Sequence, residues 1–298
     1  MREWSAEVTV DAELARRLIR EQFKWEVGSL RLLGEGWDNT VWLVDERWTF
    51  RFPRRSVVVS GIENEMAVLP QLAPLLTLPI PSPTFLGRPT SAFEWPFYGA
   101  PLLPGRELAE AALDDDGLNA LARPLAEFLR ALHSTELDAE LSIDPIGRAD
   151  MAVRVPRAIE FLDEVESLGL WRRPPVVGDV LASARKLPPP ELTAIVHGDL
   201  HLRHLLVGER GEPTAVIDWI DVSRNDPCVD LVLYWSALPP PGRAEFLDAY
   251  GTLSEEQLLR GRVLALFLCA VLAVYARHQG MPGLEREAIA GLDRTSRG

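Results

Sequence analysis

A chain of 298 residues, 47% hydrophobic and 25% charged, carries enough apolar material for two cores, which excludes a globally disordered polymer. Its 44 acidic residues against 31 basic ones give a net charge of −13, which argues against a general nucleic-acid binder and suits a cationic ligand. The two cysteines, Cys228 and Cys269, are too far apart for a Cys-x-x-Cys pair, so neither a disulfide framework nor a cysteine zinc site is expected.

The opening residues 1–7 lack the apolar core of a signal peptide, and the longest apolar run, 263–275, has thirteen residues, fewer than a bilayer span needs. A cytoplasmic protein without a membrane anchor is the expectation. In chain order, Leu14, Leu18 and Ile19 at helical spacing predict an opening helix over 11–26. β-Forming runs at 29–33, 40–44 and 48–52 are separated by turn residues and predict an antiparallel sheet. Pro79, Pro81 and Pro83 then interrupt regular structure, and Pro96, Pro101 and Pro104 bracket a stiff connection. The boundary is placed near Gly99, giving a first lobe of 1–99 and a second of 100–298.

Beyond Leu108 the pattern is mainly helical, at 118–133, 152–168, 240–250 and 255–279. One β-hairpin interrupts it. Leu205, Leu206 and Val207 read as its outgoing strand, 208–211 as the turn, and 215–217 as the return. The predicted class is α+β, with a small antiparallel sheet in the first lobe and a larger helical second lobe.

Asp199 stands before this hairpin and Asp218 just after it, nineteen positions on. That is the layout of a phosphoryl-transfer site: one carboxylate orients an attacking hydroxyl, and the other holds the magnesium that bridges nucleotide phosphates. In the first lobe, Gly34 and Gly36 lie between two predicted strands, where backbone N–H groups can approach anionic oxygens without side-chain obstruction. Asp38, Asn39 and Thr40 follow, and the sequence does not choose among them as further contacts. An ordinary hairpin turn is the competing reading of the same glycines.

Together, His197-Gly198-Asp199 with Asp218, the glycine segment 33–44, the strand 48–54, the helix 63–69, the connection 95–105 and the Asp226-Pro-Cys-Val-Asp230 run resemble the aminoglycoside phosphotransferase branch of the protein-kinase-like fold. The motifs occur in that family's order over most of the chain. The resemblance implies transfer of a nucleotide γ-phosphate, from ATP or GTP with Mg2+, to a hydroxyl of a small molecule. An aminoglycoside-like antibiotic is the first acceptor expected, with a macrolide, an amino sugar or another metabolite as alternatives. A nucleotide-binding module without turnover is the reading from a different class.

By the same resemblance Asp199 is the catalytic base, Asp218 a metal ligand, and Gly34, Gly36, Asn39, Thr40, Phe97 and Tyr98 nucleotide contacts. Arg51 stands where the family has its phosphate lysine, because the only lysines are Lys24 and Lys186. Arginine is larger and planar and does not reproduce an ammonium. Glu65, ahead of Glu63, is its expected partner. His204 occupies the place of the family's second metal ligand, usually asparagine, as in macrolide phosphotransferases. Three roles compete for it: a metal ligand, a phosphate hydrogen bond, or a packed structural histidine. His197 is read as a buttress, His201 as part of the loop, and Asp226 and Asp230 as scaffold.

Overall fold

The computed structural model describes residues 6–36, 38–137 and 141–298. The reading of residues 1–5 and the place of Trp37 in the glycine segment lie outside them. The chain separates into two compact units, Met1–Pro74 with Pro79–Leu103, and Leu75–Leu78 with Pro104–Gly298.

In the first unit, helix α1 (Ala12–Phe23) begins where the Asp11 carboxylate accepts the Leu14 N–H at 2.8 Å, and it ends at Lys24 in the left-handed conformation. It buries Ala15, Leu18 and Ile19. Strands β1 (Leu30–Glu35), β2 (Asn39–Val44) and β3 (Trp48–Pro53) follow as expected, antiparallel, with Val41 opposite Arg51. Helix α2 (Val59–Leu72) is longer than the sequence pattern suggested. Strands β4 (Phe85–Gly87) and β5 (Phe97–Pro101) complete a sheet of order β1-β2-β3-β5-β4.

Alternation along β3 and β5 sends Phe50, Phe52 and Phe97 inward, where they meet Ile19 and Phe93. Phe97 stacks on Phe52 with ring centroids 4.6 Å apart. Close packing here leaves no room at Gly99, where a Cβ would stand 2.6 Å from Phe50.

The second unit starts with β6 (Arg106–Glu107), α3 (Leu108–Ala111), α4 (Asp115–Ala120) and α5 (Ala122–His133). The single helix expected over 118–133 is broken because Pro124 has no N–H to offer the preceding turn. Then come α6 (Met151–Ser167), α7 (Pro175–Ala184), β7 (Ala194–Val196), β8 (Leu205–Val207), β9 (Pro213–Val216) and β10 (Ser223–Asn225). The return strand begins earlier than expected, since Gly208 N–H closes the turn on the Glu212 carbonyl at 2.8 Å. Two small antiparallel ribbons result, β10-β7 and β6-β8-β9.

Helices α8 (Val232–Ser236), α9 (Pro240–Tyr250), α10 (Glu255–Gln279) and α11 (Pro282–Arg297) finish the unit. Neither α7 nor α11 was legible in the sequence, because their apolar spacing is short or diluted by polar residues. A capping box of Ser254 and Gln257 starts α10. By length and composition this 25-residue helix could cross a membrane, but 61% of its apolar window is buried. It packs against α6 and α11 as the core of its unit.

Replacing Gly99 with alanine should force Phe50 from its place and lower stability by about 1–3 kcal/mol, the usual cost of overpacking a dense core. Denaturant unfolding monitored by tryptophan fluorescence would measure it.

Candidate active site

Between β7 and β8, buried leucines alternate with polar residues. Leu200, Leu202 and Leu205 anchor the loop in the core, leaving Asp199, His201 and His204 to meet on its other side. The Asp230 carboxylate fixes the start of this loop, accepting His197 N–H at 2.8 Å and Gly198 N–H at 3.0 Å. His133 Nε2 lies 3.1 Å from the same carboxylate, and His133 Nδ1 lies 2.8 Å from the Tyr250 hydroxyl. Burial works to raise the Asp230 pKa, but the hydrogen bond and charge of His133, followed by His197, outweigh it and hold the carboxyl below its ordinary range.

His197 is fully buried and spans the loop. Its Nε2 donates to the Ile217 carbonyl at 2.9 Å, and its Nδ1 accepts from Asp199 N–H at 3.2 Å. Burial lowers its pKa, so the ring is a neutral strut. Gly198 has φ +91°, and a Cβ there would sit 2.4 Å from the Asp221 carbonyl oxygen. Glycine is required by both the angle and the contact.

The protons of the next two histidines follow from their partners. His204 Nδ1 faces the Asp199 carbonyl at 2.7 Å and must donate, which leaves the Nε2 lone pair 3.4 Å from Asp218 Oδ2. His201 Nδ1 accepts from Arg203 N–H at 3.2 Å, so its Nε2 carries the proton and points at Asp199 Oδ2, 3.5 Å away. The two rings stack with centroids 3.9 Å apart. Burial, followed for His204 by His201 and for His201 by Arg203, pushes each of these pKa values down to about 4. Both rings are neutral at physiological pH.

Ligating atoms of Asp199, His201 and His204 all lie within 4.8 Å of one another. The hydrogen bonds decide what this cluster offers a cation. His201 Nδ1 is already used and His204 Nδ1 is a donor, so the available lone pair is His204 Nε2, on the Asp218 side. Asp218 follows β9 at φ +66°, a left-handed conformation that aspartate tolerates better than most residues. The next residue, Trp219, pins this turn: it is fully buried, and its Nε1 donates to the Val216 carbonyl at 3.0 Å.

Asp199 keeps 29% of its side chain accessible, yet it sits deep enough that burial raises its pKa more than His204 and Arg148 lower it. Arg148 binds Asp144 at 2.6 Å and Asp221 at 2.6 Å. Sequence reading missed Arg148, His133 and the donor role of His201. For Arg148 and His133 the only signal was an isolated arginine or histidine far from the motifs, whereas His201 stands in the loop itself, where sequence does not say which nitrogen carries the proton.

In the first unit, Arg51 on β3 lies 3.6 Å from Glu65, which is fully buried on α2. The Asn39 amide faces the Arg51 donors, and with its oxygen assigned to that side, as those donors require, it accepts from Nε at 3.1 Å and from Nη2 at 2.9 Å. Gly36 N–H bonds the Asn39 carbonyl at 3.0 Å, and a Cβ on Gly34 would meet no atom within 4 Å among the described residues. Thr40 Oγ1 is buried with no hydrogen-bond partner among those residues. Arg54 Nη1 donates to the Gly36 carbonyl at 2.6 Å and Arg55 pairs with Asp38, two supports that the sequence reading did not include. Phe97 corrects an expectation: its side chain is consumed by the aromatic core, so only its backbone remains for a ligand. Tyr98 is 3% exposed on the same strand.

The model of the phosphotransferase enzyme family matches residues 29–265, a span that includes the glycine turn, Arg51, Asp199 and Asp218. The chain belongs to the phosphotransferase enzyme family. A relative from Bacillus subtilis (strain 168), the uncharacterized protein YcbJ, is 27% identical over 225 residues, 68% of this chain and 67% of that protein. Among solved structures, the GDP complex of wild-type aminoglycoside 2′-phosphotransferase-IIIa is 21% identical, covers 97% of this chain and 99% of that one, and gives a TM-score of 0.70. The apoenzyme of macrolide 2′-phosphotransferase MphH from Brachybacterium faecium, also 21% identical, covers 95% and 98% with a TM-score of 0.59. These likenesses show that the phosphotransferase has the two-lobed, protein-kinase-like fold expected from its motifs.

Two outcomes test the geometry of this phosphotransferase's loop. Asp230→Ala strands two buried N–H groups and His133, and should cost about 3–5 kcal/mol in denaturant melts at neutral pH. Because the folded Asp230 pKa is depressed, that contribution is present above the ordinary carboxylate range and fades as pH falls through the folded value; the variant's loss should shrink in acid. Asp199→Asn has the opposite sign. Its carboxyl has a raised folded pKa, so ionisation at neutral pH opposes folding, and the substitution should raise Tm by roughly 2–4 °C per kcal/mol relieved.

Proposed function

We propose that this enzyme is a Mg2+-dependent O-phosphotransferase that moves the γ-phosphate of ATP or GTP to a hydroxyl of a small molecule, an aminoglycoside-like antibiotic first and a macrolide second. The observation that carries the reading is the carboxylate of Asp199, partly open, faced by the Nε2–H of a neutral His201 and lying on the loop that also orients His204 toward Asp218. Support for the acceptor comes from structural relatives, one solved with GDP and kanamycin at 23% identity and another a macrolide 2′-phosphotransferase. Inactivation of such an antibiotic in the cytoplasm would be its biological role.

In the reaction, the acceptor oxygen attacks the γ-phosphorus, the bond from that phosphorus to the β-bridging oxygen breaks, and the nucleoside diphosphate leaves. The acceptor proton passes to an Asp199 carboxylate oxygen late in the transfer. Gly34 and Gly36 backbone groups, Asn39, Thr40 and Arg51 hold phosphates, while the backbone of Phe97 and Tyr98 borders the base. Arg51 is positioned by Glu65 and Asn39, and its guanidinium brings a permanent positive charge to this end of the strand.

The donor set suits a divalent cation. Asp218 offers a hard carboxylate oxygen, and the His204 Nε2 lone pair faces it across 3.4 Å, an arrangement of two acceptors that a cation reconciles. Magnesium prefers oxygen, so Asp218 would hold it, with His204 beside it as the weaker partner. Bound there, the metal would supply neutralisation of the phosphate charge during transfer.

Purified protein incubated with Mg·ATP or Mg·GTP and a panel of aminoglycosides, macrolides, amino sugars and choline-like alcohols should yield one phosphorylated class by mass spectrometry. Asp199→Asn should abolish the product while retaining nucleotide affinity. Nucleotide binding without transfer to any acceptor would instead support a binding module.

A further inference from the structure

His204 and Asp218 flank the base of the β8–β9 hairpin. Leu205 pairs with Val216, and one step outward the His204 carbonyl accepts the Ile217 N–H at 2.9 Å, so the residue before Asp218 is tied to His204 itself. On the other side of Asp218, the buried Trp219 indole holds the chain through its bond to the Val216 carbonyl. Backbone hydrogen bonds and one buried ring therefore set the separation of the two side chains.

The imidazole of His204 is held as firmly. Nδ1–H donates to the Asp199 carbonyl at 2.7 Å, and the ring stacks on His201 with centroids 3.9 Å apart. A carbonyl on one ring nitrogen is the support that metal-binding histidines use, because it fixes the tautomer and makes the opposite nitrogen more basic. That nitrogen, Nε2, lies 3.4 Å from Asp218 Oδ2. A histidinium donating to a carboxylate closes to about 2.7–2.9 Å, so this pair is not a charged hydrogen bond. Two ligand atoms each about 2.0–2.2 Å from a shared ion stand roughly 3.0–3.5 Å apart, which is the separation found. The side chains are 12% and 37% accessible, open enough to admit an ion. His201 does not compete, since its Nδ1 accepts the Arg203 N–H and its Nε2 carries the proton. The pair offers one nitrogen and one carboxylate.

We propose that His204 Nε2 is a direct metal ligand that makes this site select Mn2+ over Mg2+. The phosphotransferase reading places a divalent ion at Asp218; the inference rests on that reading and chooses the ion. Mg2+ gives up water reluctantly and takes oxygen, so the carboxylate holds it and the imidazole adds little. First-row ions accept imidazole, with affinity rising from Mn2+ toward Cu2+. Mn2+, the hardest of that series, gains the nitrogen without losing its attraction to carboxylate and phosphate oxygens. An amide oxygen at this position would draw no such distinction between the two ions.

The test uses the whole chain with metal alone. Mn2+ binding is read from the paramagnetic resonance signal of the free ion, and Mg2+ binding from its competition. Wild type should bind Mn2+ more tightly than Mg2+, and pulsed spectra should show the hyperfine coupling of a directly bonded histidine nitrogen. His204→Asn should lose that coupling and weaken Mn2+ by about ten- to hundredfold, the scale on which metal sites respond to changes around their ligands, while Mg2+ affinity holds or rises. Asp218→Asn should weaken both ions. Failure of Mn2+ to bind, equal affinity for the two ions, absence of the nitrogen coupling, or a His204→Asn protein that keeps the wild-type Mn2+ preference each overturns the proposal. Should His204→Asn fail to melt cooperatively, wild type labelled with 15N-histidine decides: the coupling must change to the 15N pattern and vanish in Asp218→Asn, or the proposal falls. Neither nucleotide nor acceptor is present, so absence of phosphate transfer would sink the phosphotransferase reading and leave this result standing.

Discussion

The second unit depends on one buried carboxylate. Asp230 accepts the N–H groups of His197 and Gly198 and meets His133, so groups from two distant segments converge on a carboxylate that cannot reach water. An unpaired charge in that place would be prohibitively costly, and a fully paired one is rigid. From this fixed start the loop runs past Gly198, whose missing Cβ admits the Asp221 carbonyl, to Asp199. The positions of Asp199 and of the histidines around it follow from that start.

Rigidity also assigns the protons. Because His197 bridges two backbone groups, and because His201 and His204 each commit Nδ1 to the backbone, none of the three rings is free to change tautomer without losing a hydrogen bond. Burial keeps them neutral. The polar groups that remain are an Asp199 carboxylate, a donor aimed at it, and a lone pair aimed toward Asp218. The raised pKa of Asp199 means that burial opposes its charged form in these surroundings.

Two guanidinium groups illustrate how partners alter a residue's meaning. Arg51 was legible as a cation on the third strand, and its pairing with Glu65 was legible as well; the Asn39 amide that supports it was read only as a ligand contact. Arg148 carried no motif at all. Its importance arises from the fold, which brings residues 144, 148 and 221 together although they are separated by up to 77 positions in the chain.

The sequence by itself determined three of the five strands of the first unit and the β8–β9 hairpin, and it singled out Asp199 and Asp218, because period-two apolar patterns, glycine turns and carboxylates near strand ends are local signals; β4 and β5, in a proline-rich stretch, it did not anticipate. It also pointed to the family, through motifs that keep their order. It read one helix where Pro124 breaks two, and it passed over α7 and α11, whose burial depends on neighbours more than on their own periodicity. Only the tertiary structure decided that the Phe97 side chain belongs to the core, which proton each histidine carries, and that Arg148 stands against Asp221. Each of those depends on which groups from distant segments fill the remaining hydrogen-bonding and packing positions, and no local pattern encodes that.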